Sequence, residues 1–374
     1  MTIQPLEGIN VLDFSTLLPG PLASLILAEA GAEVVKVERP GGGDDMRRFA
    51  PDFGADSGCF VLLNRGKRSI TVDLKDKREQ ARILESVASY DVVIEQFRPG
   101  VMDRLGLGYN AMRAIRPDLV YCSITGYGQN GPKRLVAGHD LNYLAETGML
   151  GLSRGSDGKP GLPPGLIADI GGGALPAVLN ILLALRHAQA TGQGVRLDIA
   201  MADNLFSWQY TALALAALGR QPRPGGELNT GGSPRYQVYP TADGRFIAAA
   251  PMEQPFWNNF CDVIGLAPSL RDDDTVPERT LAEVARLIGM RDSTHWREAF
   301  RDKDVCCSVV ATMDEALADP HFRARGLFES TVASGDAAMP ALPVPLAPAF
   351  RQAPARKSSP TYACPGTETI EAGP

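Results

Sequence analysis

GINVLDFSTLLPGPLASLILAEAGAEVVKVE, residues 8–38, decides the fold. Gly8–Ser15 is an apolar run with strand character, Pro21–Ala30 reads as a helix stopped by Gly31, and Glu33–Glu38 is a second strand. This is a βαβ unit. The alternation continues with SITVDL at Ser69, a helix from Lys77, DVVIEQF at Asp91, a short helix over Ala111–Ile115 and LVYCSITGYG at Leu119. Strands and helices in this order imply an α/β protein with a Rossmann-like, doubly wound parallel sheet. A dinucleotide site would need G-x-G-x-x-G after the first strand, where the chain has TLLPGP from Thr16, so a nicotinamide enzyme is rejected.

The 374 residues, 44% hydrophobic and 21% charged, suffice for a large core and two domains. A formal net charge of -6 argues against a nucleic-acid surface, which needs a broad basic face. The opening MTIQPLEGINVLDF has no basic stretch followed by an apolar one, and Ala174–Ala188 reads as too short and too interrupted to cross a bilayer; a cytoplasmic protein without membrane contact is expected. Cys59, Cys122, Cys261, Cys306, Cys307 and Cys364 show no zinc spacing, so no metal is expected. Cys306 and Cys307, in DVCCSVV, read as part of a buried strand.

Pro40–Asn64 forms a Gly- and Asp-rich loop longer than a connection requires, and such loops commonly serve as lids or binding segments. After the helix ending near Gln189, TGQG breaks the pattern, and YQVYPTADGRFIAAA from Tyr236 alternates across an Asp243-Gly244 turn as a hairpin. Three segments follow: a large domain over 1–190, a linker helix and smaller α+β domain over 191–326, and a tail over 327–374, marked by PALPVPLAPAF, returning to the large domain.

Basic residues collect at strand ends. Arg39 follows the second strand, Leu74-Lys75 the third and Gln96-Phe97-Arg98 the fourth, with Arg104 close behind. Carboxyl ends of parallel strands face one crevice, so these side chains can converge on a phosphorylated ligand. Lys36, Arg65, Lys67 and Arg68 are candidates for electrostatic support only. His139, in VAGHDLNYLAETG, precedes a helix start and has the intrinsic pKa for proton exchange near neutrality. Asp140 either orients that histidine or caps a helix. Asp169 stands before three glycines and an apolar helix, where capping explains an aspartate, while the glycines leave room for a ligand beside the backbone. Glu253 begins an aromatic-containing helix; His187, His295 and His321 have no carboxylate constellation nearby and receive no role.

AGAEVVKVERPGGGD (30–44), NRGKRSITVDLK (64–75), FRPGVMDRLGLGY (97–109), SITGYGQNGP (123–132), TGQGVRLDIAMAD (191–203) and DPHFRARG (319–326) resemble CoA-transferase family III proteins, which include α-methylacyl-CoA racemases. The resemblance implies an acyl-CoA substrate, a Rossmann-like large domain, a small domain and an interlocked homodimer, with no cofactor beyond the coenzyme A of the substrate. It implies that Arg39, Leu74, Lys75, Gln96, Phe97, Arg98 and Arg104 contact CoA. It further implies that His139 is the catalytic histidine of a GHD motif, that Asp169 is an acid/base in racemases or a nucleophile forming an acyl anhydride in transferases, and that Glu253 from a partner chain pairs with His139. The racemase reading is preferred, because a transferase has no need of the histidine. A family III transferase is the alternative, although the 40–64 loop is transferase-like, and a non-catalytic CoA-binding protein would need only the basic set.

Overall fold

The Val- and Ile-rich runs form the centre of a sheet, as expected when helices cover both faces. β1 (Asn10–Asp13), β2 (Glu33–Glu38), β3 (Arg68–Thr71), β4 (Val92–Glu95), β5 (Val120–Thr125) and β6 (Arg196–Ala200) make a six-stranded sheet in the order β3-β2-β1-β4-β5-β6. Every neighbouring pair is parallel. All residues of β4 and β5 are buried. Leu12, Val35, Ile70, Val93 and Tyr121 share one core with Ile83 of α3 (Lys77–Ser86). The strand order reverses between β1 and β4, where the carboxyl ends of an open sheet leave a crevice.

The computed structural model describes residues 3–155 and 157–362, so Cys364 lies outside the described residues. The chain divides into two units, the first within Met1–Thr147, Pro163–Trp208 and Pro320–Pro374, the second within Gly148–Leu162 and Gln209–Asp319. The expected boundary at residue 190 therefore falls inside the first unit, because β6 completes its sheet. Likewise the second unit ends before Gly326.

The helix expected over Ala174–Ala188 is longer than its sequence suggested. Ala168–Ala174 forms a π-helical turn that runs directly into α5 (Leu175–Thr191), so the glycines widen the helix rather than break it. The resulting 24 residues are long and apolar enough to cross a membrane, although half of the most apolar stretch is buried within the chain. Ala177, Ile181, Ala184 and Leu185 supply its buried face. Gly192, at φ 69°, ends it in the left-handed region.

In the second unit β7 (Gln237–Pro240), β8 (Phe246–Ala249) and β9 (Cys307–Val309) form an antiparallel sheet in the order β9-β8-β7. The Asp243-Gly244 turn joins β7 to β8, with Gly244 at φ 75°. Trp257 and Phe260 of α6 (Gln254–Ile264), together with Trp296 and Phe300, fill the core beneath. The buried strand expected around Cys306 is corrected: Cys306 is exposed with φ 48°, and the strand begins only at Cys307.

The Pro40–Asn64 segment is not a free lid. Its last residues form α2 (Gly58–Asn64), which packs in the first unit against β10 (Thr331–Ser334) of a small sheet completed by β11 (Ala337–Pro340) and β12 (Arg356–Ser358). The loop itself is held by Arg47, whose guanidinium pairs with Glu38 at 2.6 Å and Asp56 at 2.7 Å, donates to the Pro360 carbonyl at 3.1 Å and lies 3.8 Å over the Phe60 ring. Burial pushes the Glu38 carboxyl up, but Arg47, the Ser69 hydroxyl and the Lys36 charge together outweigh it and hold the group below its ordinary value. Lys36, Lys67 and Arg65 are also buried and paired rather than lending surface charge: Lys36 with Asp44 at 3.0 Å, Arg65 with Glu29 at 2.8 Å, and Lys67 through bonds to Pro21, Ser24 and Asn64. Arg47→Ala leaves the Glu38 carboxylate buried without its cation and is expected to cost about 3–5 kcal/mol in urea unfolding; a loss below about 1 kcal/mol would show that this pair does not secure the segment.

Candidate active site

Two cavities open at the carboxyl edge of the sheet in the first unit. One, of about 420 Å³, is lined by His139, Asp169, Gln96, Phe97, Arg98 and Tyr143 among others. The second, of about 390 Å³, is lined by Arg39, Leu74, Lys75 and again Phe97. Phe97 thus belongs to the walls of both. Six of the expected CoA-contacting residues lie on one cavity or the other. Arg104 lines neither; it sits exposed at the end of the Val101–Arg104 turn, whose Val101 borders the second cavity.

The loops that shape these cavities also explain why no dinucleotide motif is present. The first helix, α1 (Pro19–Glu29), has its N-terminal N–H groups engaged by protein atoms: Gly20 donates to Gln96 Oε1 at 3.1 Å, and the preceding Leu17 donates to Asp44 Oδ1 at 3.1 Å. A diphosphate would need those donors free. Gln96, expected as a ligand contact, therefore also braces this turn. Arg39 is exposed and ion-paired with Asp45.

His139 precedes α4 (Asp140–Glu146), and its main-chain N–H donates to Asn142 Oδ1 at 3.0 Å, fixing the turn. Asp140 is buried, and its Oδ1 accepts the N–H groups of Ala168 at 2.6 Å and Asp169 at 3.0 Å. It caps the helix that carries Asp169 rather than its own. Asp169 lies within the first turn of that helix, not at its N-cap. Burial, reinforced by the charge of Asp140, pushes the Asp169 carboxyl up to about 6.

The three glycines after Asp169 serve close packing, not ligand approach. A methyl group at Gly171 would stand 2.4 Å from the Trp208 ring, and one at Gly172 2.4 Å from the Met201 carbonyl. Tyr143 went unrecognised in the sequence; it stands four residues after His139, on the helix that His139 precedes. Its hydroxyl donates to the Gly138 carbonyl at 2.5 Å, and its ring meets Tyr127 edge-on at 5.2 Å. Burial and the nearby Asp169 raise the Tyr143 phenol to about 12. Glu253 belongs to the second unit, exposed at the start of α6, where its carbonyl accepts the Trp257 N–H at 3.0 Å. Among the described residues no group of three or more His, Cys, Asp or Glu side chains is arranged to hold a metal.

A profile described as CoA-transferase family III matches residues 6–364. The chain belongs to CoA-transferase family III. α-Methylacyl-CoA racemase from Homo sapiens is 34% identical over 361 residues, spanning 93% of this chain and 90% of that one. Succinate–glutarate CoA-transferase from Agrobacterium fabrum is 34% identical over 366 residues, spanning 91% and 89%. The crystal structure of a CAIB/BAIF family protein from Brucella suis has a TM-score of 0.78 at 28% identity, covering 97% of this chain and 96% of that one. This family III protein is therefore an acyl-CoA enzyme, and equal identity to a racemase and a transferase passes the choice between those chemistries to the site.

A carboxyl whose pKa is raised on folding binds its proton more tightly in the native state, so the native state loses stability as pH rises from about 4 to about 6. Asp169→Asn is thus expected to melt higher than the parent at pH 7, with the difference shrinking as pH falls toward 4.5. Parallel melting curves across that range would contradict the raised pKa.

Proposed function

We propose that this family III protein epimerises the α-carbon of 2-methylacyl-CoA thioesters by two-base proton transfer through an enolate. The observation that carries the reading is that His139 and Asp169 line one cavity while Asp169 is held near 6. Epimerisation needs one group to take the α-proton and another to return a proton to the opposite face. An imidazole and the raised Asp169 carboxyl are the two kinds of group that such an exchange can use. A nucleophilic carboxylate, as a transferase would use, is favoured instead by cations that keep it ionised.

In this reading one base removes the proton from the carbon beside the thioester, the electron pair moves onto the carbonyl oxygen, and the conjugate acid of the second base protonates the other face. The main-chain N–H at Asp140, at the start of α4, steadies the enolate oxygen. Arg39, Leu74, Lys75, Gln96, Phe97, Arg98 and Arg104 hold the coenzyme A portion. Glu253 of a second chain, in an interlocked homodimer, pairs with His139 and favours its charged form. The chemistry is proton transfer alone and calls for no cofactor beyond the substrate's own coenzyme A and no metal.

A single stereoisomer of a 2-methylacyl-CoA, incubated with the protein in deuterated water without an acceptor acid, should lose its α-proton NMR signal as the other epimer appears. His139→Ala should slow that exchange by ~10²–10⁴-fold. Absence of exchange, with CoA moving instead from succinyl-CoA to a carboxylic acid, would replace this reading with the transferase one.

A further inference from the structure

β4 ends in Glu95, and the chain then turns through Gln96, Phe97 and Arg98 before leaving the sheet edge. Glu95 is 4% exposed, a depth at which a carboxylate is rare without a strong reason. Its Oε2 accepts the Phe97 main-chain N–H at 2.8 Å. Gln96 points the other way, to the N-terminus of α1, through its 3.1 Å bond to Gly20. The turn is thus fastened on both sides. Phe97 is the residue that lines both cavities, and Arg98 borders the first of them.

We propose that Glu95 is a positioning residue that sets the wall shared by the two cavities: its ionised carboxylate holds the Phe97 N–H and so shapes the site for a CoA thioester, and its protonation loosens that hold. The inference rests on the reading of these cavities as the CoA site. Glu95 touches neither cavity itself and acts through the main chain of Phe97.

The surroundings make the charge of Glu95 adjustable near neutrality. Burial raises its carboxyl to about 7, offset in part by the Ser123 hydroxyl of β5, the Phe97 N–H and Arg196 of β6, while Asp103 in the turn after β4 adds to the rise. Tyr121 and Cys122 of β5 also feel the Glu95 charge, but burial raises both far enough to keep them neutral at the pH values concerned. β1, the other neighbour of β4, carries its buried Asp13 toward Ser15, Ser24 and Lys67 instead. Glu95 therefore gains its charge as pH rises through about 7. A hydrogen bond to a charged acceptor is the stronger one, so the turn is held more firmly above that pH.

Two measurements test this. In protein labelled with ¹⁵N-phenylalanine and free of ligand, the Phe97 amide resonance should move with a midpoint near pH 7, and in Glu95→Gln it should stay fixed between pH 6 and 8.5. Separately, the affinity for coenzyme A, measured by calorimetry, should rise roughly three- to tenfold more in the parent than in Glu95→Gln over the same range. The variant serves as reference for the ligand's own phosphate titration, which is common to both proteins. A Phe97 amide that titrates identically in the two proteins would overturn the role of Glu95 while leaving the CoA site intact. A parent that shows the amide titration but binds no coenzyme A would overturn the reading of the cavities, and with it the functional half of this proposal. Should Glu95→Gln fail to fold, the amide titration of the parent still decides, because a flat Phe97 shift through pH 7 excludes a switchable bond.

Discussion

The carboxylate of Asp140 is the interaction on which the site depends. It is buried, and it accepts the N–H groups of Ala168 and Asp169, so it ties the turn that presents His139 to a helix start 28 residues further along the chain. A carboxylate out of water is tolerable only when its oxygens are bonded in this way. Burial lifts the neighbouring Asp169, and the charge of Asp140 adds to the rise, into the range where a carboxyl exchanges protons near neutrality. One bonded group thus fixes the geometry at the cavity and adds to the rise that burial begins.

The sheet has the strand order of a dinucleotide-binding fold, yet its phosphate-binding corner is filled. Gln96 and Asp44 take the N–H groups that a diphosphate would use, and Asp44 is itself fixed by Lys36. The crevice at the reversal of strand order remains and is moved outward, between the loops after β1, β4 and β5. An architecture thus fixes where a site can open, and the side chains in the first turn after β1 decide what enters it.

Local periodicity made the sheet legible. The Val-rich runs at 33–38 and 91–97 and the stop at Gly31 are readable because their causes lie within a few residues. What failed in the sequence had distant causes. Nothing local marks Arg47 within the 40–64 loop, and only the fold surrounds it with Glu38, Phe60 and the Pro360 carbonyl. Gly171 and Gly172 look like room for a ligand until Trp208 and Met201 fill the space. Asp140 reads in sequence as orienting His139 or capping a helix, and its partners are the backbone N–H groups of Ala168 and Asp169, which carry no residue identity for a reader to find. His139 and Asp169 were found by residue type, and only the fold brings them to a common cavity.

The first unit is built from three stretches of chain, with most of the second unit inserted before the last. On the ribosome all six strands of the large sheet emerge well before β10–β12, and those late strands cover Val61 on α2, just as the Leu342 carbonyl that receives Arg65 arrives late. The nascent protein therefore carries an uncovered apolar helix face throughout the synthesis of the inserted unit. Closure of the first unit must wait until residues 331–358 have been made, which makes its final folding step post-insertional and leaves the unfinished intermediate as the species most open to chaperone capture or proteolysis during biosynthesis.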